Sequence, residues 1–320
     1  MTEEFLAPDF ENLEKITFSV TSEDAGTRLD VFLSENLVKY SRTFIAKLIK
    51  EGNIEVQNGK PKAGYKLRGN ETIVLEIPQL VPSELKPYDY PLEILYEDEF
   101  LLVVNKPAGL TTHPVNNQHQ DTLANAAVAY TNKLSAIDGN PLKLGIVHRL
   151  DRETSGAIII AKDDWAHYKI AEQFQARTTE KEYHAIVVGS YPYDEDVVDL
   201  PIGRHPKHTE MMAINEKGKS AKTFFKVLER RQEFSFISAF PKTGRTHQIR
   251  VHISYRGFPL AGDKLYLTSI TNNTEVPIQR HALHARRIKF THPQTQQVLE
   301  ITAPYPQDFE EMLKYIRSKP

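Results

Sequence analysis

The sequence predicts an α+β protein in two units, a small amino-terminal one and a larger one built on a mixed, largely antiparallel sheet. Three observations carry this. Residues 78–91, PQLVPSELKPYDYP, place four prolines in fourteen residues, a spacing that prevents a helix and favours an extended connector. Ahead of that stretch, apolar residues recur at helical spacing. Behind it, short β-branched and aromatic runs bounded by Gly or Pro dominate, with helices interspersed and no repeated βαβ period. Such irregular alternation fits a mixed α/β or α+β sheet, and we take the second. The units are set at residues 15–78 and 92–320, with 79–91 as the linker.

In chain order, a first helix is expected over about residues 28–38. A second begins with Ser41 as its N-cap, where Phe44, Ile45, Leu48 and Ile49 form a buried stripe and Lys47 and Lys50 share the opposite side. The polar strand and turn NIEVQNGKPK and the strand ETIVLEI complete the small unit. In the large unit strands are expected at residues 101–104, 157–161, 183–188, 234–239 and 246–252. Helices start near Asp121, running through an alanine-rich segment to Tyr130, and near Asp163, where Ala166, Ile170 and Phe174 repeat every four residues. At 246–252, Gln248, Arg250 and His252 alternate with Ile249 and Val251, which predicts one apolar strand face and one cationic, hydrogen-bonding face.

With 320 residues, 40% hydrophobic and 26% charged, the chain can build a sizeable core, which excludes disorder and collagen. The absence of Cys removes disulfide frameworks, thiolate zinc sites, iron–sulfur clusters and cysteine nucleophiles, and fits a reducing compartment. The amino end MTEEFLAPDFE has no apolar core segment, and the runs Leu101–Val104 and Ala157–Ala161 are too short to span a bilayer. A cytoplasmic protein without a membrane partner is expected. The net charge of −2 hides segregation: residues 1–14 carry five acids and no base, whereas 39–68 carry eight Lys/Arg against Glu51 and Glu55. Residues 204–256 carry twelve Lys/Arg against four Glu. Two basic blocks on a near-neutral chain point to a polyanion met on particular faces.

The segment GIVHRLDRETSGAIIIAK, residues 145–162, sets a carboxylate between two arginines ahead of a buried strand. If it is extended, Arg149 and Asp151 point to one side and His148 and Leu150 to the other. A structural ion pair is the plain alternative, weakened by the dense polar context before AIIIA. In PKTGRTHQIRVHISYRGFPLAGDKLY, an arginine aimed into a cleft could lower the pKa of an opposing Asp and hold it bidentately. In RTTEKEYHAIVVG, Tyr183 heads an alternating strand, where it could stack on a base or simply edge the core. His205 and His208, and His281 and His284, stand three apart without acidic or thiolate partners at ligand spacing, so they are read as surface or phosphate-contacting rather than metal ligands. HRLD echoes the HRD of kinases without a glycine-rich phosphate loop or DFG, and no second acid sits where a paired-carboxylate hydrolase needs one.

Over residues 27–75, TRLDVFLSENLVKYSRTFIAKLIKEGNIEVQNGK resembles a small ribosomal-protein-type RNA-binding module. HRLDRETSG, KEYHAIVVG and GRTHQIRVH, in that order, resemble the three motifs of the RluA/RluD-type pseudouridine synthases of large-subunit ribosomal RNA. VNKPAGLTTHP, LAGDKLY and RHALHARRIKF extend the likeness over nearly the whole chain. The resemblance implies the pseudouridine synthase fold and isomerisation of specific uridines without metal or cofactor. It makes Asp151 the nucleophile, attacking either the anomeric carbon or the pyrimidine ring, and Arg250 the salt-bridge partner that keeps it ionised. Tyr183 matches a tyrosine that stacks on the target base and assists the final proton removal, and Arg149 an arginine that fills the gap left by the flipped uridine. His148, Thr154, Arg245, His247 and Gln248 are expected to contact substrate, with Lys47 and Lys50 doing so from the small module. The departures are Leu267, where Gly commonly follows LY, and Arg152-Glu153, where Lys-Asp is common; both bear on substrate contacts.

RNA is the expected partner of a monomer, ribosomal RNA being favoured by the module and transfer RNA the alternative. The competing reading is a non-catalytic RNA-binding or ribosome-assembly protein. Arg149, Asp151, Tyr183 and Arg250 together count against it, because holding a polyanion needs no carboxylate facing it.

Overall fold

The computed structural model describes residues 9–37, 42–57, 59–62, 64–79, 85–114, 120–136, 142–266 and 275–319. The expected N-cap Ser41, Asn58 in the turn after NIEVQ, most of the acidic amino end and Leu267 lie outside the described residues. In the amino-terminal part β1 (Asp9–Ser19), α1 (Leu29–Asn36), α2 (Arg42–Glu51), β2 (Ile54–Val56) and β3 (Thr72–Gln79) form a three-stranded antiparallel sheet, ordered β1-β3-β2, with two helices. Ile45, Leu48 and Ile49 recur at helical spacing and are buried with Leu29, Leu33, Ile54, Ile73 and Leu75 in one core. Lys47 and Lys50 are exposed, and Lys47 pairs with Glu51 one turn on at 3.8 Å.

The remaining elements are β4 (Ile94–Glu97), β5 (Leu101–Lys106), α3 (Leu123–Tyr130), β6 (Ser155–Ala161), α4 (Asp164–Ala176), β7 (Glu180–Val188) and β8 (Glu195–Asp199). They continue with β9 (Ile202–Arg204), β10 (Met212–Ile214), β11 (Lys222–Arg230), β12 (Phe234–Pro241), α5 (Gln248–Tyr255), β13 (Leu283–Thr291), β14 (Val298–Thr302) and α6 (Gln307–Arg317). Nine strands make one sheet in the order β4-β5-β6-β13-β7-β12-β11-β8, with β14 beside β13. Its strand pairs are antiparallel except β6 with β13, which are parallel. This is the mixed, largely antiparallel α+β sheet expected from the sequence. β6 is buried at every position: Ile158 and Ile160 face one core and Ala157, Ile159 and Ala161 the other, which is why AIIIA reads as one apolar run. Thr122 caps α3 and Asp163 caps α4.

One expected strand is a helix. Residues 246–252 lead into α5, whose entry turn places His247 at φ 56°. Period-two alternation over five residues cannot separate a strand from a helix buried on all sides. At 3.6 residues per turn Gln248 and His252 share a side, and both meet Thr223 Oγ1, at 3.0 and 2.9 Å. Ile249 and Ile253 enter the core beneath the sheet, and Arg250 is sent elsewhere. The supposed polar strand face is thus split into two.

The parallel join at the middle of the sheet sets a steric limit. Gly156 pairs with Ala285 at φ +117°, and a Cβ there would lie 2.2 Å from the Ala285 carbonyl oxygen. Gly156→Ala therefore forces β6 and β13 apart as well as straining its own backbone, and should cost about 3 kcal/mol or more in urea unfolding. A loss below about 1 kcal/mol would show that the join yields.

Candidate active site

Asp151 lies in the loop that runs into β6, and nearly every neighbour of it is pinned. Lys106, fully buried at the end of β5, donates from Nζ to the carbonyls of Pro107, Leu110 and Arg152 at 2.8, 2.8 and 3.0 Å. Burial, and then the charge of Arg280, push this ammonium down to about 7. Thr112 Oγ1 donates to the Leu150 carbonyl at 2.9 Å, and the Gly109 N–H donates to the Arg152 carbonyl at 2.9 Å. His148 Nε2 accepts from the Ile159 N–H at 2.9 Å while its ring lies 4.6 Å from that of Phe174. Thr154 Oγ1 is bonded to His281 Nε2 at 2.8 Å. What this leaves free is Arg149, exposed, and the Asp151 carboxylate, both on a cavity of about 530 Å³.

Across the cavity α5 presents Arg250. Its guanidinium donates to both oxygens of Asp263, Nε at 2.8 Å and Nη2 at 2.9 Å, and Nη1 stands 3.6 Å from Asp151 Oδ2. Burial pushes the Asp263 carboxyl up, but the Arg250 hydrogen bonds and charge outweigh it and hold it below the ordinary carboxylate range. Burial also works against the charge on Arg250, and the Asp263 bonds more than offset it. Backbone N–H groups of Leu265 and Tyr266 donate to Asp263 Oδ1 at 2.9 and 3.2 Å, so the partner is itself fixed. The Tyr266 ring lies 4.9 Å beneath the guanidinium, and its hydroxyl meets His247 Nδ1 at 2.9 Å. His247 Nε2 is 4.0 Å from Asp151 Oδ2, and burial lowers that imidazole despite the carboxylate. Tyr183, half-buried on β7, has its phenol pushed up by burial and then by the charge of Asp151.

The structure therefore brings Asp151, Arg149, Tyr183, Arg245, His247 and Arg250 to one cavity. His148, Thr154 and Gln248 line the same cavity, with hydrogen bonds to the protein of their own. Gln248 lines the wall, but its amide is spent: Oε1 accepts from Thr243 Oγ1 and the Arg245 N–H, and Nε2 donates to the Lys222 carbonyl and Thr223 Oγ1. It shapes the 243–248 turn. His148 Nε2 and Thr154 Oγ1 hold the loop to β6 and to His281. His281 and His284 are not surface residues: they are 5% and 0% exposed, and His284 accepts from Ser155 Oγ while donating to the Ala303 carbonyl. Lys47 and Lys50 belong to α2 and do not line the cavity. The sequence reading missed Asp263 and Lys106, although LAGDKLY and VNKPAG contain them; an acid inside a glycine turn was the available signal.

Among the described residues no three His, Asp or Glu side chains gather as a metal would require, and no helix is long and apolar enough to cross a membrane. Residues 100–255 match the RNA pseudouridylate synthase family, and residues 27–73 the S4 domain. An uncharacterized RNA pseudouridine synthase of Bacillus subtilis is 37% identical over 95% of this chain and 99% of its own. The chain belongs to the RNA pseudouridine synthases. A ribosomal large subunit pseudouridine synthase D of Nitrosomonas europaea is 38% identical over 97% of this chain and 90% of its own. The human RNA pseudouridylate synthase domain containing 4 superposes with a TM-score of 0.56 at 27% identity, covering 70% of this chain and 93% of that one. The synthase is an isomerase acting on RNA, and it carries an amino-terminal S4 domain ahead of a pseudouridine synthase sheet.

Two outcomes follow from the buried charges. Asp263→Asn leaves Arg250 without its counter-ion, and breaking such a buried pair should cost about 3 kcal/mol in urea unfolding and disorder the arginine opposite Asp151. An unchanged midpoint would mean that Asp151 alone can hold the guanidinium. His148, His281 and His284 are each pushed down by burial to about 3, far below the unfolded value of about 6.5. The unfolded chain then binds more protons below that value, so stability is full above about pH 6.5 and falls as pH drops toward 3. Each histidine adds a slope of up to about 1.4 kcal/mol per pH unit, and urea midpoints that stay level from pH 7.5 to 5 would contradict their buried neutral state.

Proposed function

We propose that the synthase isomerises uridines of large-subunit ribosomal RNA with Asp151 as its nucleophile. The observation that carries this is the Asp151 carboxylate opposite a guanidinium already clamped by Asp263, in a cavity whose lining holds six Arg/Lys and no other acid. A polyanion is drawn to such a cavity, and one carboxylate within it is there for chemistry. The uridine leaves its stack to enter, and Arg149, exposed at the rim, takes the vacated place. The bond from C1′ to N1 breaks while the Asp151 oxygen bonds to C1′ or to the pyrimidine ring. The uracil turns, C5 joins C1′ as the carboxylate leaves, the proton departs from C5, and N1 gains one. Atoms and electrons balance within the nucleoside, so no co-reactant is consumed. Tyr183 lies against the base, where its ring stacks on the uracil and its hydroxyl assists removal of the C5 proton, one proton being returned at N1.

The substrate reading rests on relatives that carry large-subunit synthase names at matching length. In it residues 15–78 dock the RNA, with Lys47 and Lys50 on phosphates, residues 79–91 connect, and residues 92–320 carry out the reaction in a cytoplasmic monomer. The test is tritium release from uracil C5 on unmodified large-subunit ribosomal RNA and on pooled transfer RNA transcripts. Wild type should release tritium from the first pool, and Asp151→Asn should lose at least about 10³-fold in rate while still binding. Release by the Asn variant would remove Asp151 from the chemistry, and release from the transfer RNA pool alone would reassign the substrate.

A further inference from the structure

The cavity has a second end that this chemistry does not use. Lys181 and Tyr183 share one face of β7 and both line the cavity, as does Thr179 just ahead of the strand. Two strand residues advance about 6–7 Å, so Lys181 stands one step along the wall from the tyrosine. The charge of Asp151 acts on Tyr183, whereas the charge acting on Lys181 is that of Lys242.

Lys181 is half-buried, its Nζ reaches only the Thr243 carbonyl, at 3.5 Å, and the Phe174 ring is 5.8 Å away. Among the described residues neither it nor Arg177 forms an ion pair with a carboxylate; Lys242, exposed at the same end, forms none within 4 Å, and its charge acts on Glu180. Burial, and then Lys242, push the Lys181 ammonium down to about 8. Thr179, 7% exposed, keeps a buried hydroxyl with no hydrogen-bond partner. Arg177 ends α4 in a left-handed conformation, φ 61°, where glycine is the usual residue. A partly buried cation is ordinarily paired, so Lys181 without a carboxylate, beside the unsatisfied Thr179 hydroxyl and with the exposed Arg177 and Lys242 at the opening, describes a place arranged for an anion.

We propose that this end of the cavity is a phosphodiester subsite, with Lys181 at its base and Arg177 and Lys242 at its mouth holding the phosphate next to the flipped uridine. The assignment rests on the reading of Asp151 as the reacting centre. It gives the RNA chain a fixed point beside the base, so that extrusion of the uridine and its placement against Asp151 share one anchor.

The test compares the full-length wild type with Lys181→Met, which keeps the stem without the charge, and Lys181→Arg. Affinity is measured against salt on the unmodified large-subunit transcript and on poly(U), and the transcript is also used for tritium release. For Lys181→Met the plot of log affinity against log salt should be shallower by about 0.7 on both RNAs, the value for one phosphate contact on single strands. KM should rise about tenfold with kcat within twofold and Tm unchanged or higher, and Lys181→Arg should restore slope and KM. An unchanged slope, a loss confined to kcat, or a Tm that falls with the affinity would overturn the subsite. If wild type releases no tritium from the transcript, the substrate reading fails, while the poly(U) slope still decides Lys181.

Discussion

One guanidinium shared between two carboxylates organises the site. Arg250 gives its forked donors to Asp263 and keeps Nη1 for Asp151, so the first carboxylate fixes the direction from which the second is met. A lysine at this position would offer a point charge with no preferred plane and could not hold that division. The constraint spreads outward from the pair. Asp263 is anchored by the N–H groups of Leu265 and Tyr266, Tyr266 lies under the guanidinium, and its hydroxyl positions His247 at the head of α5. Helix, glycine turn and the loop ahead of β6, separate in sequence, are tied by a single side chain.

The opposite wall is organised by the same economy of backbone groups. Lys106 collects carbonyls from two loops that have no strand partner to take them, which lets the 147–154 segment stay irregular without stranding buried acceptors. Thr112 and His148 close further groups of that segment. Rigidity there fixes where the exposed Arg149 stands. A loop held at its neighbours presents one exposed arginine in a defined place, whereas a loose loop would spend part of the binding energy on ordering itself.

Much of this was legible in the sequence, and what was not has a physical reason. The buried stripe of α2, the N-cap of α4 and the two-sided burial of β6 follow from periodicity and capping, which are local. Arg250 and Asp151 were legible as a pair from chemistry and family resemblance. Asp263 was not, because its role depends on a turn folding back thirteen residues onto α5, and a lone acid in LAGDKLY looks like any other. The helix at Gln248–Tyr255 was misread because its polar residues are satisfied on opposite sides, Gln248 and His252 by Thr223 and Arg250 by Asp263. His281 and His284 were read as surface or phosphate-contacting because no acidic or thiolate partner stands near them in sequence, yet Thr154 and Ser155 satisfy them inside. In each case the missing information was the partner across the fold.

The distribution of charge also explains how a chain of net charge −2 handles a polyanion. Within the cavity Arg250 is neutralised by Asp263, and Asp151 is the one acid in a lining that also holds Arg149, Arg177, Lys181, Lys242 and Arg245. Leaving Lys181 without an acid costs stability in the free protein, since a well-placed glutamate would relieve it. Such a glutamate would also occupy the space and charge that an RNA phosphate needs. The cavity is therefore least satisfied where the substrate is to bind, and the deficit is made good only in the complex. Electroneutrality over the chain and a strongly positive cleft are compatible because balancing acids stand elsewhere, as on the outer strands, where Asp199 and Glu195 pair with exposed Lys222 and Lys226.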